Sequence, residues 1–397
     1  HDFFFGEIRM KYRTFGRLDW QPSALGFGAM RLPVIDADPG RIDEPRATKL
    51  IRYAIDHGVN YVDTAYPYHQ GTSEAFVGRA LKDGYRERVK VATKQPCWLV
   101  KEPADFDRLL DEQLARLDIG KIDFYLLHSL EAGRWHSVRD LGVLDWAERA
   151  MADGRIGHLG FSFHDSFDAF KEIVDAYDNW TFCQIQYNYL DVEYQAGTRG
   201  LKYAADKGLG VIVMEPLRGG LLAGRAGQRA GRGLPPSIQA LWDVAVRRRT
   251  PAEWALQWVW SQPEVSLVLS GMSTLEQVKE NVVSAGRSAP GLLTGEELAL
   301  IGQVRDEYKR LMPIPCTDCK YCQPCPNGVK IPAIFSYYNE AMMFNVPAYG
   351  RNAYANWLSE AERADNCVAC GECEAQCPQH ISIIEWLEIA GEYLAVR

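Results

Sequence analysis

Val89-Lys-Val-Ala-Thr-Lys94, Asp105-Phe-Asp-Arg-Leu-Leu-Asp-Glu-Gln-Leu-Ala-Arg-Leu117 and Ile122-Asp-Phe-Tyr-Leu-Leu-His128 read as one strand–helix–strand unit. The outer segments are short, apolar and rich in β-branched or aromatic residues, as strands buried on both faces are. The middle segment has the spacing of an amphipathic helix, and Asp105 is placed to cap it over 106–117. The pattern continues in both directions, with strand-like runs at 25–30, 61–65, 89–94, 122–128, 158–163, 182–187, 210–216 and 265–271. A helical stretch follows nearly every run. Eight strands alternating with helices is the count of a (β/α)8 TIM barrel, an α/β fold that holds 200 or more residues as one domain.

Helix signals agree with this register. Pro251 opens a helix over 252–262, Thr274 caps one over 275–285, and a further helix is expected over 294–311. Trp254 and Trp258, four apart, read as core packing. The Gly- and Arg-rich stretch 217–250 separates the seventh and eighth runs and is expected to form a loop over one end of the barrel. Met312-Pro-Ile-Pro315 then breaks the pattern, which places a domain boundary after residue 312 and gives a barrel over 10–312 and a second domain over 313–397.

The chain has 397 residues, a formal charge of -8 and 47% hydrophobic residues, which excludes a disordered chain and a small disulfide-stapled domain. It contains no apolar run of the length a membrane helix needs. Its mildly acidic balance argues against nucleic-acid binding, and Arg247, Arg248 and Arg249 read as a solvated loop. Residues 1–9 lack a basic region and a long apolar segment; they read as an extension or tag remnant, and a cytoplasmic location is expected. Eight of the ten cysteines fall between Cys316 and Cys377. In that compartment they are metal ligands rather than disulfides.

In such a barrel the active site lies at the C-terminal ends of the strands. Asp63 ends the second run, Lys94 the third and His128 the fourth, while Tyr68 lies in the loop after the second. A tyrosine near pKa 10 is a poor acid at neutral pH unless a cation stabilises its phenolate. An ammonium about 4 Å away supplies roughly 4 kcal/mol at an effective dielectric near 20. Lys94 is thus expected to lower the pKa of Tyr68, with Asp63 orienting Lys94 and His128 hydrogen-bonding a substrate oxygen. The set suits proton donation to a carbonyl that is being reduced.

Gly58-Val-Asn-Tyr-Val-Asp63-Thr-Ala-Tyr-Pro-Tyr68, Ser73-Glu74, Val91-Ala-Thr-Lys94 and Asp123-Phe-Tyr-Leu-Leu-His128 resemble the signature segments of the aldo-keto reductase family. The resemblance, from about Tyr12 to Ala285, implies a nicotinamide dinucleotide bound without a Rossmann domain and Tyr68 as the acid. It also implies cofactor contacts. Ser162 and Gln184 fall at the carboxamide positions, Pro216, Leu217 and Arg218 in the turn after the seventh strand, and Gly271, Ser273, Gln277, Glu280 and Asn281 in the pyrophosphate and adenosine segment. Phe163 stands in place of the usual Asn and Met214 in place of the common stacking Tyr. Gly271 and Gln277 occupy the places of the Lys and Arg that clamp a 2′-phosphate, so either NADPH or NADH fits the pattern; Arg218 is the remaining candidate to reach phosphate. Tyr66, His69, Trp98 and Trp135 are expected to wall a pocket for a cyclic or aromatic carbonyl.

Cys316, Cys319, Cys322 and Cys325-Pro326 form one compact run, and Cys367, Cys370, Cys373 and Cys377-Pro378 a second. Zinc is the competing reading, but four cysteines within ten residues crowd a tetrahedral site. The runs resemble bacterial ferredoxin-type modules, in which the fourth cysteine serves the other cluster. That implies two 4Fe-4S clusters, one on Cys316, Cys319, Cys322 and Cys377 and one on Cys367, Cys370, Cys373 and Cys325. Helices expected over 331–338 and 352–364 make this a helical ferredoxin-like domain, while Cys97 and Cys183 read as buried free thiols of the barrel. The whole is similar to the iron–sulfur-containing aldo-keto reductases.

The expected function is therefore hydride transfer between a nicotinamide cofactor and a small-molecule carbonyl or alcohol, with two clusters exchanging electrons with a redox protein partner or the active site. A hydride carries two electrons and each cluster passes one, and no flavin motif is present to join them. The alternative is an electron-transfer or redox-sensing subunit with structural clusters and little barrel turnover.

Overall fold

The structure, a computed structural model, describes residues 9–224, 233–317 and 319–396. Most of the expected N-terminal extension, residues 225–232 of the expected loop, and Asp318 lie outside the described residues. Eight parallel strands close into a barrel in sequence order: β1 Leu25–Gly28, β2 Tyr61–Asp63, β3 Lys90–Gln95, β4 Ile122–Leu130, β5 Ile156–Phe163, β6 Phe182–Gln186, β7 Gly210–Met214 and β8 Leu267–Ser270. Each strand pairs with the next, and β8 pairs with β1. The expected runs and the observed strands coincide to within a few residues, because strands covered on both faces are marked by continuous apolar composition.

Some helix starts depart from expectation and others keep to it. The helix after β3 is Ala104–Leu117, so Asp105 lies inside its first turn; its carboxylate accepts from the backbone N–H groups of Lys101 and Glu102 instead of capping. Thr274 does cap Leu275–Gly286, accepting from the Gln277 N–H, and Thr294 with Glu297 forms a capping box on Gly295–Leu311. Part of the expected loop is ordered as the helix Pro236–Asp243.

The N-terminal end of the barrel is filled by aromatic rings. Phe124 lies 5.4 Å from Phe15, 5.1 Å from Trp20, 5.5 Å from Tyr61 and 5.3 Å from Phe182, centroid to centroid. Phe15 comes from a small turn before β1, bridged to Leu18. This end is packed shut, which leaves the opposite rim, where the strands end, for polar groups.

Packing divides the chain into two compact units: residues up to Pro216 with Leu256–Leu292, and Leu217–Ala255 with residues from Leu293 onward. In the second unit the helices Ile331–Met343, Pro347–Trp357 and Ile383–Ala395 surround a core that includes Ile314, Ile334, Phe335, Tyr354 and Leu387. The helix expected over 352–364 starts earlier, at Pro347, and stops at Trp357. Ser359 and Glu362 then build a capping box that begins a separate short turn. Arg249, expected to be solvated, has its side chain 4% exposed; it pairs with Glu297 at 2.7 Å and lies over the Trp254 ring at 4.2 Å.

Candidate active site

β2 and β3 run in register, with Asp63 opposite Ala92, and Lys94 lies two residues further along β3. Lys94 Nζ donates to Asp63 Oδ1 at 2.7 Å, to the Thr64 carbonyl at 2.7 Å and to Tyr68 Oη at 3.4 Å. An ammonium has three N–H bonds. Two hold it in place and the third points at the phenol oxygen, so the tyrosine O–H is turned away from Lys94. β4 carries a register shift between Leu127 and Leu130, and Ser129 adopts φ +56°. This irregularity lies beside His128, whose ring meets Tyr68 edge-on at 6.2 Å and Trp98 at 5.0 Å.

The electrostatics differ from the sequence expectation in one respect. The Tyr68 phenol is pushed well above its ordinary value, first by burial, then by Asp63 and Glu215, with Arg31 opposing them. Lys94 lies 3.4 Å from the phenol and 2.7 Å from the Asp63 carboxylate, and burial of the phenol is the largest influence on it. Burial likewise lowers Lys94 and raises Asp63, against the attraction of the pair for itself. His128 is held well below the usual histidine range by burial and then by Lys94, His164 and Arg134. The site therefore offers a protonated phenol and a neutral imidazole.

A second buried network, which the sequence did not mark as one, holds Lys94 from behind. Thr93 Oγ1 donates to Glu74 Oε1 at 2.6 Å, and Gln113 Nε2 donates to the same oxygen at 2.6 Å and to the Lys94 carbonyl at 3.0 Å. Tyr125 Oη donates to Gln113 Oε1 at 2.6 Å. The signal was a glutamine on the face of Ala104–Leu117 that otherwise buries Phe106, Leu109, Leu110 and Leu117. A polar residue on an apolar face asks what satisfies it.

Arg31, after β1, was also missed. Its charge acts on Tyr68, its carbonyl accepts from Ser273 Oγ at 2.7 Å, and its Cγ lies where a Cβ on Gly271 would come within 2.8 Å. The bare Gly271 backbone is thus what lets Arg31 pack there. Among the other expected cofactor residues, Ser162 stands opposite Gln184 in register, and its Oγ accepts from the Ser129 N–H at 2.7 Å. Gln184 Nε2 donates to Met214 Sδ at 3.4 Å, while its buried Oε1 has no hydrogen-bond partner among the described residues. An orphaned amide oxygen at this rim fits an incoming carboxamide N–H. Gln277 Oε1 accepts from the Ser273 N–H at 2.8 Å, and Asn281 Nδ2 donates to Ser270 Oγ at 3.0 Å, so this segment is internally braced. Pro216 and Leu217 follow β7 as expected, Glu280 lies in the helix Leu275–Gly286, and Arg218 is buried and bonded to Met312 and Pro315.

Of the four aromatic residues expected to wall a pocket, only Trp98 stands beside His128. Trp135 is buried against Trp180, and Tyr66 donates to the Glu112 carboxylate with Arg116 over its ring. His69 accepts from the Leu32 N–H and donates from Nδ1 to the Pro39 carbonyl, tying the loop after β1 to the loop of Tyr68. Tyr66, His69 and Trp135 thus make these contacts with other residues of the barrel.

In the second unit, one cavity is lined by Cys322, Cys325, Cys367, Cys370 and Cys373. Cys325 of the first run thus opens onto three cysteines of the second. The Cys322 thiol is pushed up to about 12 by burial and then by Cys319, Cys377 and Cys373. Cysteines of the two runs thus lie close to one another, with Cys322 and Cys373 each near members of both, and thiols crowded together need a cation to become thiolates. Lys320 and Ala369 take φ +68° and +54°, each beside a cysteine, and Gly371 takes +80°. Such left-handed residues curl a short loop around one centre. The residues fit iron–sulfur clusters. Cys97 and Cys183 are buried in the barrel, as expected.

Among the described residues no helix is long and apolar enough to cross a membrane. Comparison with known proteins finds the description "4Fe-4S dicluster domain" over residues 315–382 and "Aldo/keto reductase family" over 24–299. L-galactose dehydrogenase of Arabidopsis thaliana is 27% identical over 315 residues, covering 76% of this chain and 97% of the relative. NADH-specific methylglyoxal reductase of Escherichia coli is 30% identical over 319 residues, covering 69% and 93%. Among solved structures, an aldo-keto reductase from Bacillus halodurans in its holo form superposes with TM-score 0.60 at 28% identity over 75% of this chain and 96% of that one. One from Klebsiella pneumoniae in complex with NADPH gives 0.58 at 25% identity over 75% and 95%. A match across 24–299, well over half of the sequence, agrees with the closed barrel and its rim, and the chain belongs to the aldo/keto reductase family, extended by a 4Fe-4S dicluster domain.

Proposed function

We propose that this oxidoreductase transfers hydride between NADPH or NADH and a small-molecule carbonyl or alcohol, with two 4Fe-4S clusters in the appended domain exchanging electrons with a redox protein partner. The observation that carries the barrel reading is Lys94, which directs one N–H to Tyr68 Oη while Asp63 and Thr64 take the other two. The nicotinamide, when bound, supplies or accepts hydride. The chain's own residues supply the rest. Tyr68 donates its proton to the oxygen that becomes an alcohol, and His128, neutral, positions that oxygen from the side. As the phenol gives up its proton, the Lys94 N–H already aimed at Oη stabilises the charge that develops there, an interaction stronger in the transition state than before it. Gln184, with its unpartnered Oε1, and Ser162 would orient the carboxamide; Gly271, Ser273, Gln277, Glu280 and Asn281 would line the adenosine side. One relative named as NADH-specific and one neighbour solved in complex with NADPH support a nicotinamide and leave the choice to titration.

For the second domain we assign Cys316, Cys319, Cys322 and Cys377 to one cluster and Cys367, Cys370, Cys373 and Cys325 to the other; in support, Cys325 of the first run shares a cavity with Cys367, Cys370 and Cys373, which Cys322 also borders. Clusters of this kind persist where thiols stay reduced, in keeping with a cytoplasmic location. Tyr68→Phe should reduce carbonyl reduction by about 10² to 10⁴ while leaving the iron–sulfur absorbance unchanged. Turnover retained in that variant would remove Tyr68 from its role. Anaerobic iron and sulfide assays on Cys370→Ser should find one cluster lost and one kept; loss of neither would break the ligand assignment.

A further inference from the structure

The sequence marks Arg218 as a candidate to reach phosphate, and the structure bonds its side chain elsewhere. Arg218 is 3% exposed, and its guanidinium donates from Nη1 to Met312 Sδ at 3.0 Å and from Nη2 to the Pro315 carbonyl at 3.1 Å. Its backbone takes φ +48°, followed by Gly219 at +65° and Gly220 at +99°. A non-glycine residue adopts the left-handed region against a steric cost, so the packing around this turn holds Arg218 in place.

The Pro315 carbonyl belongs to the peptide unit that joins Pro315 to Cys316. Three side chains brace the residues around that cysteine. Arg218 holds Pro315; Asn339 exchanges hydrogen bonds with Ile314, donating to its carbonyl at 2.7 Å and accepting from its N–H at 3.1 Å; and Gln379 Nε2 donates to Thr317 Oγ1 at 3.4 Å. Of these three only Arg218 carries a charge. We infer that Arg218 is a positioning residue for the iron–sulfur cluster that includes Cys316, and that its buried positive charge makes that cluster easier to reduce. The inference rests on the ligand assignment given above.

Reduction adds one negative charge to a cluster, and the potential follows the net charge and hydrogen bonding around the sulfurs. A guanidinium held out of water close to a ligand favours the reduced state, and its bond to the peptide oxygen polarises the N–H of the same peptide, making it a stronger donor. Asn339 holds the same strap without charge, so loosening the strap and removing the charge can be told apart.

The test is a redox titration, followed by electron paramagnetic resonance, of the anaerobically purified full chain and of Arg218→Met, Arg218→Lys and Asn339→Ala. Arg218→Met should make one cluster about tenfold harder to reduce, which is about 59 mV for one electron, and leave the other unmoved. Arg218→Lys should restore most of that shift, and Asn339→Ala should move the potential much less. Should Arg218→Met fail to load iron, Arg218→Gln against Arg218→Lys reads the same charge difference. Unchanged potentials with full iron content overturn the inference and leave the ligand assignment standing. A fall in NADPH affinity with unchanged potentials overturns it in favour of a phosphate contact. A wild-type chain without an iron–sulfur signal overturns both the inference and the assignment.

Discussion

At the barrel rim, Lys94 directs its three N–H bonds to Asp63, Thr64 and Tyr68, and a second network of Glu74, Thr93 and Gln113 braces the strand behind it. In the cysteine module, burial and then Cys319, Cys377 and Cys373 push Cys322 up to about 12, and burial, then Glu374 and Cys367, push Cys373 up to about 11. The rim has opposite charges already paired within the protein, whereas the cysteines surround one another with groups of the same kind. One site has its charges balanced by folding, and the other would be completed by the clusters proposed for it. The first is braced by its own hydrogen bonds, which suits a cofactor that comes and goes; the second suits a group that stays.

The comparison breaks most visibly at its strongest point. Lys94→Met should lower kcat/KM for carbonyl reduction by about 10² to 10⁴, through loss of the N–H aimed at Tyr68, while the cluster spectrum stays as it is. A variant within tenfold of wild type would mean that the rim is less dependent on this contact than its geometry implies. The bracing network comes next. Glu74→Gln presents an amide where Thr93 and Gln113 donate, and it should cost the barrel about 2 kcal/mol in chemical denaturation without changing iron content. Equal loss of iron would show that the two regions are not independent in stability.

A smaller effect separates them by pH. His128 is held below its usual range, so below about pH 6.5 the unfolded chain takes up a proton that the folded barrel refuses. Stability then falls as pH falls, by up to about 1.36 kcal/mol per pH unit. His128→Gln should flatten that slope in denaturation midpoints measured between pH 5 and 7 (about two units centred near the free value); an unchanged slope would locate the titration elsewhere. The smallest effect belongs to the second unit. Burial alone would raise the Glu297 carboxyl, but the Thr294 N–H and the Arg249 guanidinium bring it below its usual range. Its contribution is present above the usual glutamate value and lost as pH falls through the lowered one. Glu297→Gln should cost about 1 kcal/mol at pH 7, and a melting curve that does not respond would leave the capping box without its expected weight.

The strands were legible because parallel strands buried on both faces read as unbroken apolar runs, and Asp63, Lys94 and His128 stood out as polar residues at or near their ends. The cysteine spacing was legible for a similar reason, since short-range ligation is written in local sequence. The pocket walls were not. Tyr66, His69 and Trp135 have the right chemistry and the right position along the chain, but Glu112, Leu32, Pro39 and Trp180 claim them, and those partners lie tens of residues away. Asp105 was misread for a related reason: its carboxylate had backbone donors on its N-terminal side.

By itself, the sequence determined the strand order, the residues at the barrel rim and the eight cysteines, because each is encoded in composition or spacing over a few residues. Only the tertiary structure decided that the Tyr68 phenol is pushed above its ordinary value, because that reflects how deeply the phenol is buried and how near Asp63 and Glu215 lie. Only the tertiary structure, likewise, turned Arg218 toward Met312 and Pro315, since a buried guanidinium goes to whichever acceptors packing brings within about 3 Å, and these lie far along the chain.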